Sequence, residues 1–182
     1  MARRSSIESL RFPNMAELHS EKRALKPRAK KARIALGADH AGVHAKELIK
    51  RYLQTAGYTV EDLGTESDES VDYPDFAVRV ANHVAQKQSD FGILTCGTGI
   101  GMSITANKVG GIRAAMAYDP VTARMAREHN DANVLTVGAR VLTVEQILAV
   151  VESFLGAQFA GGRHQRRVDK IMELDQEPKP KG

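Results

Sequence analysis

The sequence has one cysteine, no tryptophan and few other aromatic residues, with four tyrosines and five phenylalanines among 182 positions. A single cysteine excludes an internal disulfide. The scarcity of aromatic side chains means that the core must be mainly aliphatic. No apolar run approaches the roughly 18 residues that a membrane-spanning helix needs, so we expect no membrane partner. Hydrophobic residues make up 42% and charged residues 26% of the chain, which is typical of a folded globular domain.

Positive charge is concentrated at the amino terminus. Residues 1–33 contain ten Lys or Arg and three Glu, a net charge of +7, whereas the other 16 basic and 19 acidic residues give −3. The total charge of +4 therefore reflects this one segment. Because the rest of the chain is mildly acidic, we expect no nucleic-acid partner.

The amino-terminal segment also lacks apolar periodicity, so we expect residues 1–32 to be a disordered extension. A functional basic arm is the alternative interpretation, and Met15 is an alternative start. No apolar h-region follows the first arginines, as a secretory signal requires, and three glutamates are atypical of a transit peptide. We therefore expect a cytoplasmic protein with one folded domain over residues 33–175 and a second disordered tail over 176–182.

Short apolar runs alternate with helical patterns through the predicted domain. The predicted strands are 33–37, 58–62, 91–96, a segment within 112–118, and 134–137. The predicted helices are 44–56, 75–87, 101–108, 119–129, 143–155 and 164–175. The alternation predicts a single doubly wound, Rossmann-like α/β domain with a five-stranded parallel sheet, flanking helices and an additional C-terminal helix. We expect the strand order 2-1-3-4-5.

Two polar clusters follow the first and third predicted strands, on either side of the expected switch in strand order. Asp39 and His40 form one cluster, and Cys96 with the glycine-rich residues 97–101 forms the other. Ligands of such sheets bind at this switch, beyond the carboxyl ends of the strands. The glycines are compatible with two interpretations: a loop whose backbone N–H groups bind an anion, or a tight strand-to-helix turn.

Cys96 lies at the start of the glycine-rich loop, and two interpretations of it also stay open. A lone cysteine at a strand end is commonly a small buried hydrophobic residue. Here, however, a helix N-terminus would stabilise its thiolate, which can act as a nucleophile or a base beside an anion hole. Thr98 is placed to donate to the same oxygen.

The histidines and arginines supply the remaining candidates. No histidine pair has zinc-ligand spacing with the single cysteine, so we expect no metal. His129 ends a predicted helix, where a histidine also suits the helix dipole. Arg163 and Arg167 share a predicted helix face, which is suited to a phosphate but also typical of a solvated basic face. Arg140, after the fifth strand, is a third candidate for the same anion. We expect His44 and His83 to be structural or solvent-facing.

Together these segments resemble ribose-5-phosphate isomerase type B, in a family that also includes galactose-6-phosphate and allose-6-phosphate isomerases. The resemblance extends in order from about residue 33 to 171. It is carried by Gly37-Ala-Asp39-His40, Asp72-Tyr73-Pro74, Cys96-Gly-Thr-Gly-Ile-Gly101, Ala106-Asn107-Lys108, Arg113, His129-Asn130-Asp131-Ala-Asn-Val, Gly138-Ala-Arg140 and Gly161-Gly-Arg163-His-Gln-Arg-Arg167.

The resemblance implies a cofactor-free aldose–ketose isomerase that interconverts ribose 5-phosphate and ribulose 5-phosphate through an enediolate, in the pentose phosphate pathway. It assigns the base to Cys96, furanose ring opening to His129 and the enediolate contact to Thr98. A branch of the family uses a glutamate base at the position of Met102, so this chain resembles the cysteine branch. The substrate-binding residues that it implies are Asp39, His40, Tyr73, Gly97, Gly99, Ile100, Gly101, Asn130, Arg140, Arg163 and Arg167.

The sequence offers three alternatives to this function. Within the enzyme class, a hexose-6-phosphate isomerase acting on allose or galactose 6-phosphate stays open, because no motif reports the depth of the pocket. A non-catalytic phosphosugar-binding module of the same fold is disfavoured because Cys96, Thr98 and His129 are all present. A flavodoxin-like flavin binder is disfavoured because the candidate loops offer few aromatic residues.

The order of elements also predicts how the chain assembles. The predicted helix 119–129 begins at the carboxyl end of the fourth strand and must return to the amino end of the fifth, since the two strands are parallel. His129 would then lie about 17 Å, a strand length, from Cys96 of the same chain. We therefore expect a homodimer, or a tetramer, with shared active sites, which the resemblance also implies.

Overall fold

The computed structural model describes residues 31–175. The predicted extension over 1–32 therefore lies outside the described residues apart from its last two, and the predicted tail over 176–182 lies wholly outside. Ala32 is buried against the core, and the Lys31 ammonium donates a hydrogen bond to the carbonyl of Ala56. Folded structure therefore extends to the first described residue.

Five strands and six α-helices alternate along the described chain. The strands are β1 (Arg33–Ala38), β2 (Thr59–Asp62), β3 (Phe91–Cys96), β4 (Ala114–Met116) and β5 (Val134–Gly138). The helices are α1 (Val43–Thr55), α2 (Tyr73–Ala85), α3 (Ile100–Ala106), α4 (Pro120–Asn130), α5 (Val144–Gly156) and α6 (Gln165–Glu173). A short 3₁₀ turn, Gly162–His164, precedes α6. The predicted alternation is confirmed, with helix boundaries displaced by one or two residues.

Local side-chain chemistry determines two of the helix starts as predicted. The Asp119 carboxylate accepts hydrogen bonds from the N–H groups of Val121 and Thr122, both at 2.8 Å, at the start of α4. Thr143 and Gln146 form the predicted reciprocal capping box at the start of α5. Both arrangements satisfy N–H groups that the first turn of a helix leaves unpaired.

All strand pairs are parallel, but the predicted strand order was wrong at one edge of the sheet. The observed order is β2-β1-β3-β5-β4. β5 is buried along its whole length and lies between β3 and β4, whereas β4 has only three residues, all half-buried. The longer buried strand occupies the interior because it removes more apolar surface from water there, and the short strand takes the edge. The predicted switch between β1 and β3 is confirmed.

Helices cover both faces of the sheet. On one face, α1, α4 and α5 pack against inward side chains such as Ile34, Leu36 and Leu135. On the other face, α2 and α3 pack on Ala35, Leu94 and their neighbours. This arrangement leaves the two ends of the sheet as the surfaces where loops can present polar groups. Within the described part of the chain, no helix is long and apolar enough to cross a membrane.

Candidate active site

The Cys96 thiol lies at the carboxyl end of β3, in contact with the glycine-rich loop. Its side chain is 5% exposed, and the backbone N–H of Gly99 donates to Sγ at 3.1 Å. Gly99 has φ +84°, a left-handed conformation that an L side chain rarely adopts, so the loop turns back over the sulfur. The sulfur is therefore held in place beside the backbone N–H groups of the loop.

The position of β5 beside β3 brings a cation to the same loop. The Ala139 N–H donates to the Cys96 carbonyl at 2.8 Å, and the Arg140 N–H donates to the Gly97 carbonyl at 3.0 Å. A Cβ on Gly138 would lie 2.7 Å from the Thr98 carbonyl oxygen, so only glycine allows this approach. The exposed Arg140 side chain passes along Gly97, where an added Cβ would lie 3.4 Å from the Arg140 Cδ atom.

Thr98 and Tyr73 complete the wall of the loop. The Thr98 side chain is exposed, and its Oγ1 accepts a hydrogen bond from the Ile100 N–H at 3.3 Å. Its own O–H stays available as a donor, since a hydroxyl both donates and accepts. The Tyr73 ring lies against Gly101, where an added Cβ would come within 2.6 Å of the ring Cζ.

Asp39 and His40, after β1, are held by backbone groups. One oxygen of the buried Asp39 carboxylate accepts hydrogen bonds from the N–H groups of Ala41 at 2.9 Å and Gly42 at 3.1 Å. The Nδ1 atom of His40 accepts from the Val71 N–H at 3.2 Å. A neutral His40 ring therefore carries its proton on Nε2, which can donate to a sugar oxygen.

A second group of predicted residues lies at the opposite end of the sheet. α4 ends at Asn130, and the following residues reach the amino end of β5, where the Gly92 N–H donates to the Asn133 carbonyl at 2.9 Å. His129 lies on the last turn of α4 and stacks on the ring of His164, with centroids 4.3 Å apart and planes 2° from parallel. Arg163 and Arg167 are exposed and flank His164 in sequence.

An arginine network fixes the end of α4. The Arg113 guanidinium donates to the Asp131 carbonyl at 2.7 and 3.0 Å and forms an ion pair with its carboxylate at 3.0 Å. Asp131 itself has φ +45°, which ends the helix. Arg113 also donates to Met172 Sδ of α6 at 3.0 Å, so α4 and α6 are connected beside His129.

The candidate residues of one chain thus form two half-sites. We call the first the cysteine half-site; it contains Asp39, His40, Tyr73, Cys96, Gly97, Thr98, Gly99, Ile100, Gly101 and Arg140. We call the second the histidine half-site; it contains His129, Asn130, Arg163, His164 and Arg167. The first lies at the carboxyl ends of the strands and the second at the amino ends, so the length of β3, about 17–20 Å for a strand of this size, lies between them in one chain. Within one chain, Arg140 therefore does not share an anion with Arg163 and Arg167.

Sequence reasoning assigned no role to His164, which packs directly on His129. In the sequence it is one residue of a basic run, and no local pattern can predict a contact between residues 35 positions apart. Burial lowers the pKa of His164, and His129, Arg163 and Arg167 lower it further. The uncharged imidazole is therefore the favoured form in this half-site.

Within residues 31–175, no three His, Cys, Asp or Glu side chains lie close enough together to hold a metal ion. His44 is exposed, and His83 contacts Ser89 and Glu61 away from both half-sites, as expected for solvent-facing and structural histidines.

Sequence comparison shows similarity to sugar-phosphate isomerases. The sequence matches the family described as Ribose/Galactose Isomerase over residues 34–171. It is 48% identical over 144 residues to ribose-5-phosphate isomerase B of Escherichia coli, covering 79% of this chain and 97% of that protein. It is 44% identical to a probable ribose-5-phosphate isomerase B of Mycoplasma genitalium, covering 79% of this chain and 96% of that one.

Solved structures of similar proteins have the same fold. Ribose-5-phosphate isomerase B of Clostridium thermocellum superposes with a TM-score of 0.78 at 50% identity, covering 79% of this chain and 97% of that one. The Mycoplasma genitalium enzyme, crystallised with bound ribulose 5-phosphate, gives 0.78 at 44% identity, covering 80% and 97%. The family match covers most of the chain and includes every residue of both half-sites, so this chain belongs to the ribose/galactose isomerase family.

Proposed function

We propose that the protein interconverts ribose 5-phosphate and ribulose 5-phosphate through an enediolate. The observation that carries the proposal is the buried Cys96 thiol, which receives the Gly99 N–H at 3.1 Å beside a loop of backbone donors. The similarity to ribose-5-phosphate isomerases, one of them crystallised with ribulose 5-phosphate, supports the same substrate pair. The reaction class follows from this geometry, because a base beside an oxyanion hole suits proton transfer next to a carbonyl.

In the proposed reaction, the sugar first opens to its aldehyde. His129, with Asn130 beside it, moves a proton between the ring oxygen and the C1 hydroxyl. The Cys96 thiolate then removes the C2 proton, and the electron pair moves through the C1–C2 bond onto the C1 oxygen. Returning that proton to C1, while the C2 hydroxyl loses its own to the C1 oxygen, gives the ketose. Thr98 and the loop N–H groups hold the charged oxygen throughout.

The remaining residues of the half-sites bind the substrate. Asp39 and His40 contact sugar hydroxyls, and Tyr73 lines the pocket. Guanidinium groups bind phosphate through paired N–H donors, so Arg140, Arg163 and Arg167 are assigned to the phosphate. Phosphate binding away from C1 provides binding energy that holds the reacting carbons in place.

The proposal includes a homodimer, since the two half-sites lie too far apart in one chain to act on one pentose. In a two-fold dimer, the cysteine half-site of one subunit can face the histidine half-site of the other. Exposed apolar side chains on α3, on α4 and in the loop before α4, all near the edge strand β4, support such an interface: Ile100, Ile104, Tyr118, Val121 and Met125. A tetramer can form from two such dimers.

The substrate is tested with a panel of ribose, allose and galactose phosphates, each assayed at equal concentration with the purified protein. We expect the highest kcat/KM with ribose 5-phosphate. A higher kcat/KM with a hexose 6-phosphate would instead identify the protein as a hexose-phosphate isomerase, which the family description, naming both ribose and galactose, also allows. With ribose 5-phosphate as the substrate, we place the enzyme in the pentose phosphate pathway and in the cytoplasm.

A further inference from the structure

The stacked imidazoles of the histidine half-site differ in exposure. His164 is 8% exposed, whereas His129 is only partly buried. Their rings are nearly parallel, with centroids 4.3 Å apart. The buried ring is fixed by its surroundings, and the more exposed ring lies flat against it. His164 therefore restricts the orientation of His129.

His164 also contacts an arginine of the same half-site. The Arg163 Nε–H donates to His164 Nε2 at 3.4 Å. Nε2 can accept this bond only when it carries no proton, so the neutral ring has its proton on Nδ1. The surroundings favour that neutral ring, because burial and then the neighbouring His129, Arg163 and Arg167 lower the pKa of His164.

We propose that His164 is a positioning residue with two separable roles: its ring face orients His129, and its Nε2 atom orients Arg163. This inference rests on the proposed function, in which His129 opens the furanose and Arg163 binds the phosphate. Both target side chains reach solvent and would otherwise sample several rotamers. Acid–base catalysis needs a fixed geometry, and a displacement of about 1 Å can reduce a rate about 100-fold.

Two substitutions separate the roles. His164→Phe keeps a flat ring against His129 but removes the acceptor for Arg163. His164→Gln keeps an acceptor near the Nε2 position but removes the ring. For the Phe variant we expect a rise of about 2- to 10-fold in KM, because one long hydrogen bond of the Arg163 guanidinium is lost, with ring opening retained. For the Gln variant we expect a nearly normal KM and ring opening reduced about 10- to 100-fold.

Ring opening is measured separately from proton transfer. Ribose 5-phosphate is mainly a furanose, whereas ribulose 5-phosphate is acyclic because its C5 oxygen carries the phosphate. An enzyme that cannot open the ring must wait for spontaneous opening, so its rate stops rising with enzyme concentration. Deuterium uptake at C1 of ribulose 5-phosphate in D₂O reports the thiolate step alone.

We expect the rate with ribose 5-phosphate to level off at high enzyme concentration for His164→Gln but to keep rising for His164→Phe and for wild type. Both variants should still catalyse deuterium uptake. The matched control is His83→Gln on α2, a partly buried histidine on the opposite face of the sheet from α4, which should change neither readout.

Identical behaviour of the Phe and Gln variants would overturn the inference, because a merely structural residue gives no such separation. A wild-type protein that neither converts ribose 5-phosphate nor exchanges deuterium would overturn the proposed function itself, and the inference with it. A third measurement uses only the wild-type protein, so it does not depend on whether the variants fold. Long-range ¹H–¹⁵N spectra of the wild-type protein at neutral pH should show His164 with an unprotonated Nε2, and a protonated Nε2 would contradict the proposed contact with Arg163.

Discussion

Cys96 carries a compact side chain that is almost fully buried at the end of β3. This side chain contacts the turn at Gly99. A single thiolate there can reach two adjacent carbons, which is what a 1,2-proton transfer needs. Backbone donors beside it can hold the enediolate oxygen without a metal.

Replacing the thiol tests this assignment. We expect Cys96→Ala to lower kcat with ribose 5-phosphate by about 10²- to 10⁴-fold, the usual contribution of a general base. Deuterium uptake into ribulose 5-phosphate should fall equally, because the same thiolate removes the C1 proton. The melting temperature checks that the fold survives the loss of one small buried atom. Turnover near the wild-type value would assign the proton transfer to another group.

The arginines of the histidine half-site should act through the phosphate. Loss of a charge-assisted hydrogen bond reduces binding by about 1.5–3 kcal/mol, so Arg163→Ala or Arg167→Ala should lower kcat/KM about 10- to 150-fold. Activity on unphosphorylated ribose should change little. The exposed Arg166, between them in sequence, is the matched control, and Arg166→Ala should leave both activities intact. Equal losses with both sugars would make the two arginines structural.

Individual elements show which parts of the fold a sequence determines locally. Helix starts were predicted where side chains such as Asp119 and Thr143 supply the caps themselves. α2 starts two residues earlier than predicted, because Pro74 is accommodated in its first turn. Residue 164 belongs to a 3₁₀ turn and not to the last helix, since two glycines with positive φ, Gly161 and Gly162, precede it.

Features that depend on distant contacts could not be predicted in the same way. The order of β4 and β5 depends on which strand gains more from burial, and a three-residue strand carries too little pattern to decide that. The corrected order matters to the site, since it places Arg140 next to Gly97. The stack of His129 on His164 likewise depends on the packing of the C-terminal segment against α4, where the Ala160 N–H donates to the Glu128 carbonyl at 2.9 Å.

A buried ion pair joins α1 to β2 behind the cysteine half-site. The Lys46 side chain is 1% exposed, and its ammonium lies 2.7 Å from the Asp62 carboxylate, which Lys50 also contacts at 2.8 Å. Burial opposes ionisation of Asp62, but hydrogen bonds from Lys46, Lys50 and the Gly64 N–H outweigh it and leave its pKa below the usual value. The charged pair therefore stabilises the loop that follows β2.

The depressed pKa of Asp62 determines how this pair responds to pH. Its stabilisation is present above the unfolded-state pKa of about 3.9 and is lost as pH falls through the lower folded-state value. Asp62→Asn should reduce the free energy of unfolding by about 3 kcal/mol at pH 7, since it leaves a buried ammonium without its main partner. The difference from wild type should shrink below about pH 4, because Asp62 of the unfolded chain is protonated there first and the folded carboxylate follows at its lower pKa.

Urea unfolding from pH 7 to pH 3 measures this effect. The control is Asp68→Asn, which removes an exposed carboxylate 3.9 Å from the exposed His44 and should change stability little. A difference between Asp62→Asn and wild type that stays constant across this range would mean that the Asp62 charge does not provide the stabilisation.

At the scale of the whole molecule, the basic extension should be dispensable for catalysis. It lies outside the family match, which begins at residue 34, and carries no motif. A chain starting at Lys31 should keep its kcat and melting temperature, and it retains the contact of Lys31 with the end of α1. A large loss in either quantity would mean that the extension docks on the folded domain.

The assembly follows from the separation of the half-sites. Cys96 lies at the carboxyl end of β3, and His129 lies on the last turn of α4, at the amino ends of the strands. If both act on one sugar, the two residues must come from different subunits. Cys96→Ala and His129→Ala homodimers each lack one of these groups in every site, so both should be nearly inactive with ribose 5-phosphate.

A heterodimer of the two variants distinguishes shared from separate sites. One of its sites combines both substituted residues, and the other combines Cys96 of the second chain with His129 of the first. The heterodimer, purified through a different affinity tag on each chain, should therefore recover about half of the wild-type kcat, since one of its two sites is intact. Sites contained within single chains would each carry one substitution, and the heterodimer would stay inactive. That outcome, after mass spectrometry has verified one copy of each chain, would place Cys96 and His129 in the site of the same subunit.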